Sequence, residues 1–442
     1  MNRILVDFSR RTGSIKPLHG INNGPVSNFG FVDTSAEYRA AGIPFVRLHD
    51  CQYPRPDRVD IPQIFPDFNA DPEDPASYQF ALTDSVISPI VACGAQPFYR
   101  LGTSIEHEQV KKYVFPPKDY EKWAKICAGI IRHYTQGWAD GFRYPITYWE
   151  IWNEPDLTPE MWVGTPEEYF RLYTTVAPLL KAWFPDLKIG GCALCSVWNR
   201  TFINGFLSEV ARTNAPLDFF SWHWYGDSPE QLRDTVIQVK SDLAAHSLTG
   251  AESICDEWNY MRGTMWVPAR REKHIRREFY EKQRNHVGAS FVAACMAVMQ
   301  ENGVDLSTHY DGQPHMMFCS IFDRCGIETK TYRAFEAFHK LYQLKNAVPV
   351  QTPQGFYGLG AMDEGRAGVL LSNFSAPGEN YEVTCRGLRG GRAKLYVLDA
   401  HREMELLQEL YFEGDFTVDP VLLTNSLLLL QIELRYSRRW RR

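Results

Sequence analysis

Two glutamates are set apart from the other acidic residues by what surrounds them. Glu154 lies in Trp152-Asn-Glu-Pro-Asp156 and Glu257 in Cys255-Asp-Glu-Trp-Asn259. Each follows a short apolar run, and each sits among Trp and Asn rather than in a charged surface stretch. Pro155 has no N–H to offer a sheet, so it ends the first run and fixes Glu154 at that end. Two carboxyls facing each other across a cleft suit cleavage of a glycosidic bond. One must be protonated to assist the leaving oxygen and the other ionised to attack the anomeric carbon, so their surroundings must hold the two pKa values apart. A separation of about 5–5.5 Å gives retention through a covalent glycosyl intermediate, and one of about 6.5–9.5 Å gives inversion.

The fold has to bring these two distant positions to one rim. Strand-like runs alternate with helical patterns between residues 15 and 340, at 18–22, 44–49, 96–101, 147–152, 187–190, 218–223, 252–255 and 304–309. Between them, Trp123, Ile126, Cys127, Ile130, Ile131 and Tyr134 repeat with helical period ahead of Gly137. Thr165-Pro-Glu-Glu168 reads as a capping box with Pro at the first helical position, and Ser228-Pro-Glu-Gln231 as a second. Eight such units predict an α/β chain folded as a (β/α)8 TIM barrel. No Gly-rich phosphate loop opens a helix, which disfavours a nucleotide-binding doubly wound sheet. A parallel barrel carries its active site at the C-terminal strand ends, where Glu154 closes the fourth strand and Glu257 the seventh. After residue 345 the pattern changes to short strands at 356–359, 367–372, 381–384, 393–398 and 426–431, the signature of a β-sandwich. The alternating run 2–9 lies outside the barrel repeat and is expected to complete that sandwich. The expected domains are residues 1–14, an N-terminal strand joining the sandwich; 15–344, the catalytic barrel; and 345–442, the C-terminal β-sandwich.

Composition narrows the partners. The 442 residues carry 47 Lys+Arg against 53 Asp+Glu, a net charge of −6, which argues against nucleic acid or an anionic membrane as the main partner. The basic run Arg435–Arg442 reads as a solvated or subunit-contacting tail, and homo-oligomerisation is left open. The 12 Trp and 22 Tyr offer flat apolar bodies with polar handles, which suit the C–H faces and hydroxyls of sugars, although most of them fill a core. No signal-peptide pattern and no apolar run of transmembrane length is found, and the ten scattered cysteines read as reduced thiols, so a cytoplasmic location is expected. Cys192-x-x-Cys195 lacks the second pair of a structural zinc site, and neither His-Glu-x-x-His nor Gly-x-Ser-x-Gly occurs. No metal or organic cofactor is expected.

The two carboxylate motifs resemble those of the clan A glycoside hydrolases, and within the clan the chain is most similar to family 39. The resemblance rests on His19-Gly20 at strand one, Val46-Arg-Leu-His49 at strand two, Trp149-Glu-Ile-Trp-Asn-Glu-Pro-Asp156 at strand four, His223-Trp-Tyr225 at strand six and the fused sandwich, so it spans nearly the whole chain. It implies that Glu154 is the general acid/base and Glu257 the nucleophile. It further implies that Asn153 bonds the sugar 2-hydroxyl, Arg47 holds Glu257 ionised, His223 and Tyr225 orient the carboxylates or the sugar, and His49 meets the sugar. Trp258, beside the nucleophile, is expected to form an apolar wall. Asn22, Asn23, Asp50, Asn259 and His309-Tyr-Asp311 are weaker rim candidates, and the Cys51–Asp74 loop would wall the pocket or touch a second subunit.

One run departs from the family 39 β-xylosidases, which commonly carry Thr-Glu-Trp at the nucleophile. Asp256-Glu-Trp-Asn259 resembles instead the family 51 α-L-arabinofuranosidases, which typically lack the Pro after the acid/base. The expected function is therefore a retaining, exo-acting hydrolase that removes a terminal pentose from an oligosaccharide. β-Xylosidase stands first and α-L-arabinofuranosidase or a related side-chain glycosidase second. The reading from another class is a carbohydrate-binding protein that has lost catalysis.

Overall fold

The computed structural model describes residues 2–27, 30–51, 55–263, 266–314 and 317–435. All but the first residue of the basic tail Arg435–Arg442 and part of the Cys51–Asp74 loop lie outside these ranges. Eight parallel strands close into a barrel. They are β1 (Gly20–Asn22), β2 (Phe45–Leu48), β3 (Gln96–Leu101), β4 (Tyr148–Ile151), β5 (Lys188–Leu194), β6 (Phe219–Gly226), β7 (Glu252–Tyr260) and β8 (Leu306–His309). β5, β6 and β7 run further than their apolar patterns predict, so Tyr225 and Glu257 are strand residues.

The barrel interior has two storeys. At the N-terminal ends, Phe98, Tyr148, Phe219, Ile254 and Leu306 form a dry plug. Above it the inward positions turn polar, beginning with Arg47 and Glu150, both fully buried. Parallel strands covered by helices normally read as continuous apolar runs, so this polar storey departs from the pattern.

The helices are set by their caps. Tyr120–Thr135 buries the apolar stripe read from sequence and begins at Asp119, whose side chain accepts from Lys122 N. At Pro166–Trp183 both halves of the Thr165/Glu168 capping box form. At Pro229–Ala245 only the Ser228 half forms, accepting from Gln231 N at 3.3 Å. No helix among the described residues is long and apolar enough to cross a membrane.

Two further sheets make the sandwich. In one, the N-terminal strand Asn2–Asp7 runs parallel to Glu379–Arg386, with Val350–Gln351 on its other side. In the other, Glu403–Phe412, Gly391–Leu398, Ser426–Leu434, Arg366–Asn373, Phe356–Met362, Asn346–Val348 and Gly13–Ser14 lie side by side. Val6, Val369, Val383, Leu395 and Leu430 are among the residues packed between the sheets. The sandwich docks on the helix His286–Asn302, where Ser372 Oγ donates to Ser290 O at 2.6 Å and Phe291 meets Phe374 edge-on at 5.6 Å.

Candidate active site

The rim at β4 is built by leaving the strand abruptly. Beyond Ile151, Trp152 and Glu154 adopt left-handed backbone (φ 73° and 43°), a conformation non-glycine residues hold only when their surroundings enforce it. Trp152 N donates to Leu101 O at 2.7 Å, its indole N–H to Met161 O at 2.9 Å, and Glu154 N to Ala193 O at 2.9 Å. These bonds tie the turn to β3 and β5. The Glu154 carboxyl is nearly buried, and His223 Nδ1 lies 2.8 Å from its Oε1. Burial raises this carboxyl to about 7, opposed by a hydrogen bond from Cys195 and by the charge of Arg47. Burial also drops His223 to about 4, so at neutral pH its ring is uncharged. A neutral ring donating Nδ1–H to Oε1 leaves the Glu154 proton on Oε2.

At β7 the strand carries a bulge. Trp222 pairs with Cys255 and His223 with Glu257, so Asp256 is the extra residue. The bulge lets both Asp256 and Glu257 reach Arg47 on the barrel axis. Tyr225 OH donates to Glu257 Oε1 at 2.5 Å, and Arg47 Nη1 donates to Oε2 at 3.3 Å.

Arg47 is a hub beneath the rim. Its Nη2 reaches Glu150 at 2.7 Å and Asn153 Oδ1 at 2.6 Å, and its Nε lies 2.8 Å from Asp256 Oδ2. Burial opposes its charge, but Asp256, Glu150 and Glu257 together hold the guanidinium firmly protonated. Three carboxyls share this cation, and Glu257 is the most distant of them. The Glu257 pKa accordingly stays above the ordinary carboxylate value. Burial is the main cause and Glu154 adds to it, while His223, Arg47 and Tyr225 pull it down. The expectation that Arg47 keeps Glu257 ionised thus holds only as one of three opposing contributions. Within the buried pair beside it, burial first raises both groups. Arg47 then draws Glu150 below the usual range, and Asp256 is left well above it. The two shifts run in opposite directions, so of the pair Asp256 holds a proton the more readily.

The other predicted residues divide. Asn153, His223, Tyr225, Arg47 and His49 gather around the two glutamates, with His49 Nε2 3.3 Å from Asn153 Nδ2. Trp258 does not join them. It is fully buried and meets His309 edge-on at 4.7 Å; His309 in turn packs on Phe335 of the helix Lys330–Tyr342, in the layer between barrel and helices. An apolar wall beside the nucleophile therefore does not come from Trp258. Asn22 bonds Arg47 and the backbone of Asp256 and Thr308, Asn23 accepts from His49 N, and Asn259 bonds the backbone of Tyr310 and Phe318. These three brace the rim. Asp50 is buried, which raises it to about 7, and Asp311 is sealed in with one oxygen unpartnered.

Sequence reasoning assigned no role to Glu150, Asp256, Asp156 or Cys195. Glu150 had a signal, a charge inside a strand otherwise made of Tyr, Trp and Ile. Asp256 had none, because a bulge is invisible in an apolar pattern. Asp156 accepts from the backbone N–H groups of Cys195 (2.9 Å) and Ser196 (3.2 Å), tying the Glu154 turn to the loop after β5.

One oxygen of Glu154, one ring nitrogen of His223 and one oxygen of Glu257 lie within 4.8 Å of one another. These three could coordinate a cation only by occupying the space between the two carboxyls. An eight-stranded barrel with two carboxyls this close at the ends of β4 and β7 defines the class, the glycoside hydrolases. Residues 38–264, just over half of the chain, match the model of glycosyl hydrolases family 39, and the chain belongs to that family. A β-xylosidase of Geobacillus stearothermophilus is 30% identical over 171 residues, 37% of this chain and 33% of that protein. The match thus spans a third of the curated relative's length. Among solved structures, a glucosidase from Croceicoccus marinus superposes with a TM-score of 0.82 at 24% identity, covering 99% of both chains. A monomeric β-xylosidase from Caulobacter crescentus follows the same fold, with a TM-score of 0.73 at 17% identity, covering 99% of this chain and 100% of that one.

Proposed function

We propose that the chain is a retaining, exo-acting hydrolase that removes a terminal pentose from oligosaccharides, first of all a β-xylosidase. The observation that carries the reading is the close approach of Glu154 and Glu257, within 4.8 Å. One oxygen of each carboxyl comes that near, which suits direct attack on the anomeric carbon, the geometry of retaining enzymes with carboxyls about 5–5.5 Å apart. Glu257 attacks as the glycosidic C–O bond breaks, and Glu154 passes its proton to the departing oxygen. Glu154, now ionised, takes a proton from water as that water attacks the anomeric carbon and frees Glu257. His223 directs the Glu154 proton, Tyr225 and Arg47 steady the Glu257 carboxylate, and Asn153 offers its amide to the sugar 2-hydroxyl. The β-xylosidase relative supports the pentose. Asp256 ahead of the nucleophile favours a second reading, α-L-arabinofuranosidase, with the same chemistry on a different sugar.

The test is a panel of aryl glycosides with β-D-xylopyranoside, α-L-arabinofuranoside and β-D-glucopyranoside side by side, using Glu257→Ala as control. Xyloside cleavage lost in the variant is the expected result. Arabinofuranoside preference would move the assignment to the second reading, and wild-type-like rates in Glu257→Ala would remove the assigned nucleophile.

A further inference from the structure

We infer that Tyr357, a residue of the β-sandwich, is a positioning residue for the nucleophile: it clamps the turn after β6 and so fixes the strand end from which Tyr225 holds Glu257. The inference rests on the reading of Glu257 as nucleophile and adds what the sandwich contributes to the chemistry of the barrel.

Two routes join the sandwich to the end of β6. In the first, the Tyr357 O–H donates to Glu230 Oε1, and Ser228 Oγ donates to Glu230 Oε2 at 3.0 Å. Ser228 is the cap of the helix Pro229–Ala245. Only Asp227 separates it from Gly226, the last residue of β6. Met261 N donates to Gly226 O at 2.8 Å, which ties the end of β6 to the end of β7. One carboxylate thus links the sandwich to the two strands that carry Tyr225 and Glu257.

The second route is apolar. Side chains alternate along a strand, so Trp224 faces the helices while His223 and Tyr225, on either side of it, face the carboxyls. Trp224 stacks on Phe291 with ring centroids 6.0 Å apart, and Phe291 meets both Phe374 of the sandwich and Tyr260 at the end of β7 edge-on. This stack steadies the outer side of the same strand end, and Tyr357 holds the turn beyond it.

The Tyr357 contact is a strong one. The Tyr357 ring is buried, and its hydroxyl meets a carboxylate, the more strongly bonding kind of acceptor. Burial by itself would raise the Glu230 carboxyl. Hydrogen bonds, that from Tyr357 foremost, draw it below the ordinary value instead, so it is ionised at neutral pH. At the far end of the chain of contacts, the Tyr225–Glu257 bond of 2.5 Å lies at the short limit for O–H···O bonds. A small displacement of β6 therefore lengthens and weakens it.

The experiment records kcat/KM against pH on the aryl glycoside of the panel that wild type cleaves best, for wild type, Tyr357→Phe, Tyr225→Phe and the double variant. Tyr357→Phe should lose about threefold, the lower end of what residues in one network share, and its acidic limb should move to higher pH, as in Tyr225→Phe. In the Tyr225→Phe background the same substitution should change kcat/KM by less than about 1.5-fold, because the bond it acts through is already gone. Glu230→Gln, which keeps an acceptor for Tyr357, should stay nearer to wild type than Glu230→Ala. An unmoved acidic limb in Tyr357→Phe, or the same loss with and without Tyr225, would overturn the positioning role and leave the nucleophile assignment intact. A limb that stays in place in Tyr225→Phe itself, or a wild type silent on the whole panel, would overturn the reading beneath it and the positioning role together.

Discussion

The opposite pKa shifts of Glu150 and Asp256 lead to a prediction in which a charge-removing substitution does no harm. Asp256 is fully buried, its Oδ2 is 2.8 Å from Arg47 Nε, and Arg47 is also paired with Glu150. If Asp256 carries the proton, Asp256→Asn replaces one neutral donor–acceptor with another of the same shape. Its NH2 can donate to Glu150 and its oxygen can face Arg47, so the charge of the hub is unchanged. The expected cost is below about 1 kcal/mol. Asp256→Ala removes the partner altogether, leaving Glu150 short of a donor and the bulge short of packing, at a cost of about 2–4 kcal/mol. Because the protein has two packed cores, unfolding midpoints are the safer readout than a fitted free energy. The Ala variant should melt several degrees below wild type and the Asn variant beside it. The pH dependence supplies a second reading. A carboxyl whose pKa is raised on folding contributes stability that is full below its unfolded value of 3.8 and lost as pH rises toward the folded value. The Asn variant has no such loss, so its midpoint should gain on wild type as pH rises above the unfolded value. An Asn variant as damaged as Ala, or one that falls behind wild type as pH rises, would mean that Asp256 is an ionised partner of Arg47 and not a neutral one.

The proposed roles of the rim residues give further predictions. With Glu154 raised to about 7, kcat/KM on a poor leaving group should fall as pH rises through that value, because only the protonated acid can assist departure. Asp50 is also raised to about 7, so the limb is assigned by substitution: Glu154→Gln on an activated aryl glycoside should lose it, and its persistence would point to Asp50. Tyr225→Phe removes the O–H that Glu257 accepts at 2.5 Å; the acidic limb should move to higher pH and kcat/KM should drop by about tenfold or more. An unchanged acidic limb would show that Tyr225 does not support the ionised nucleophile.

The barrel was legible because each of its parts leaves a local signature. The strand at 96–101 was placed to the residue, and the Thr165/Glu168 box formed as read. The gathering of Glu154, Glu257, His223 and Tyr225 at one rim was legible because each motif sits at a strand end. What escaped is what arises from geometry between strands. The bulge that turns Asp256 inward follows from how β6 and β7 pair, and no single stretch of sequence records it. Trp258 was misplaced because adjacency to Glu257 was taken for a shared direction, whereas side chains on a strand alternate. Glu403–Phe412 was missed as a strand for another reason: it lies at a sheet edge with most residues exposed, so no apolar alternation marks it.

The parallel pairing of Asn2–Asp7 with Glu379–Arg386 has a consequence for how the molecule is made. The strand Asn2–Asp7 is synthesised well before Glu379–Arg386, its partner in the sheet. At a translation rate of about 5–20 residues per second, it waits for roughly 20–75 s before that partner exists. Throughout that interval its ladder of N–H and C=O groups on that side stays open to any other extended chain, including nascent copies of itself. The barrel can close before the sandwich, but the loose N-terminal strand stays attached to it. Trimming the sandwich from the C-terminal side would make this exposure permanent.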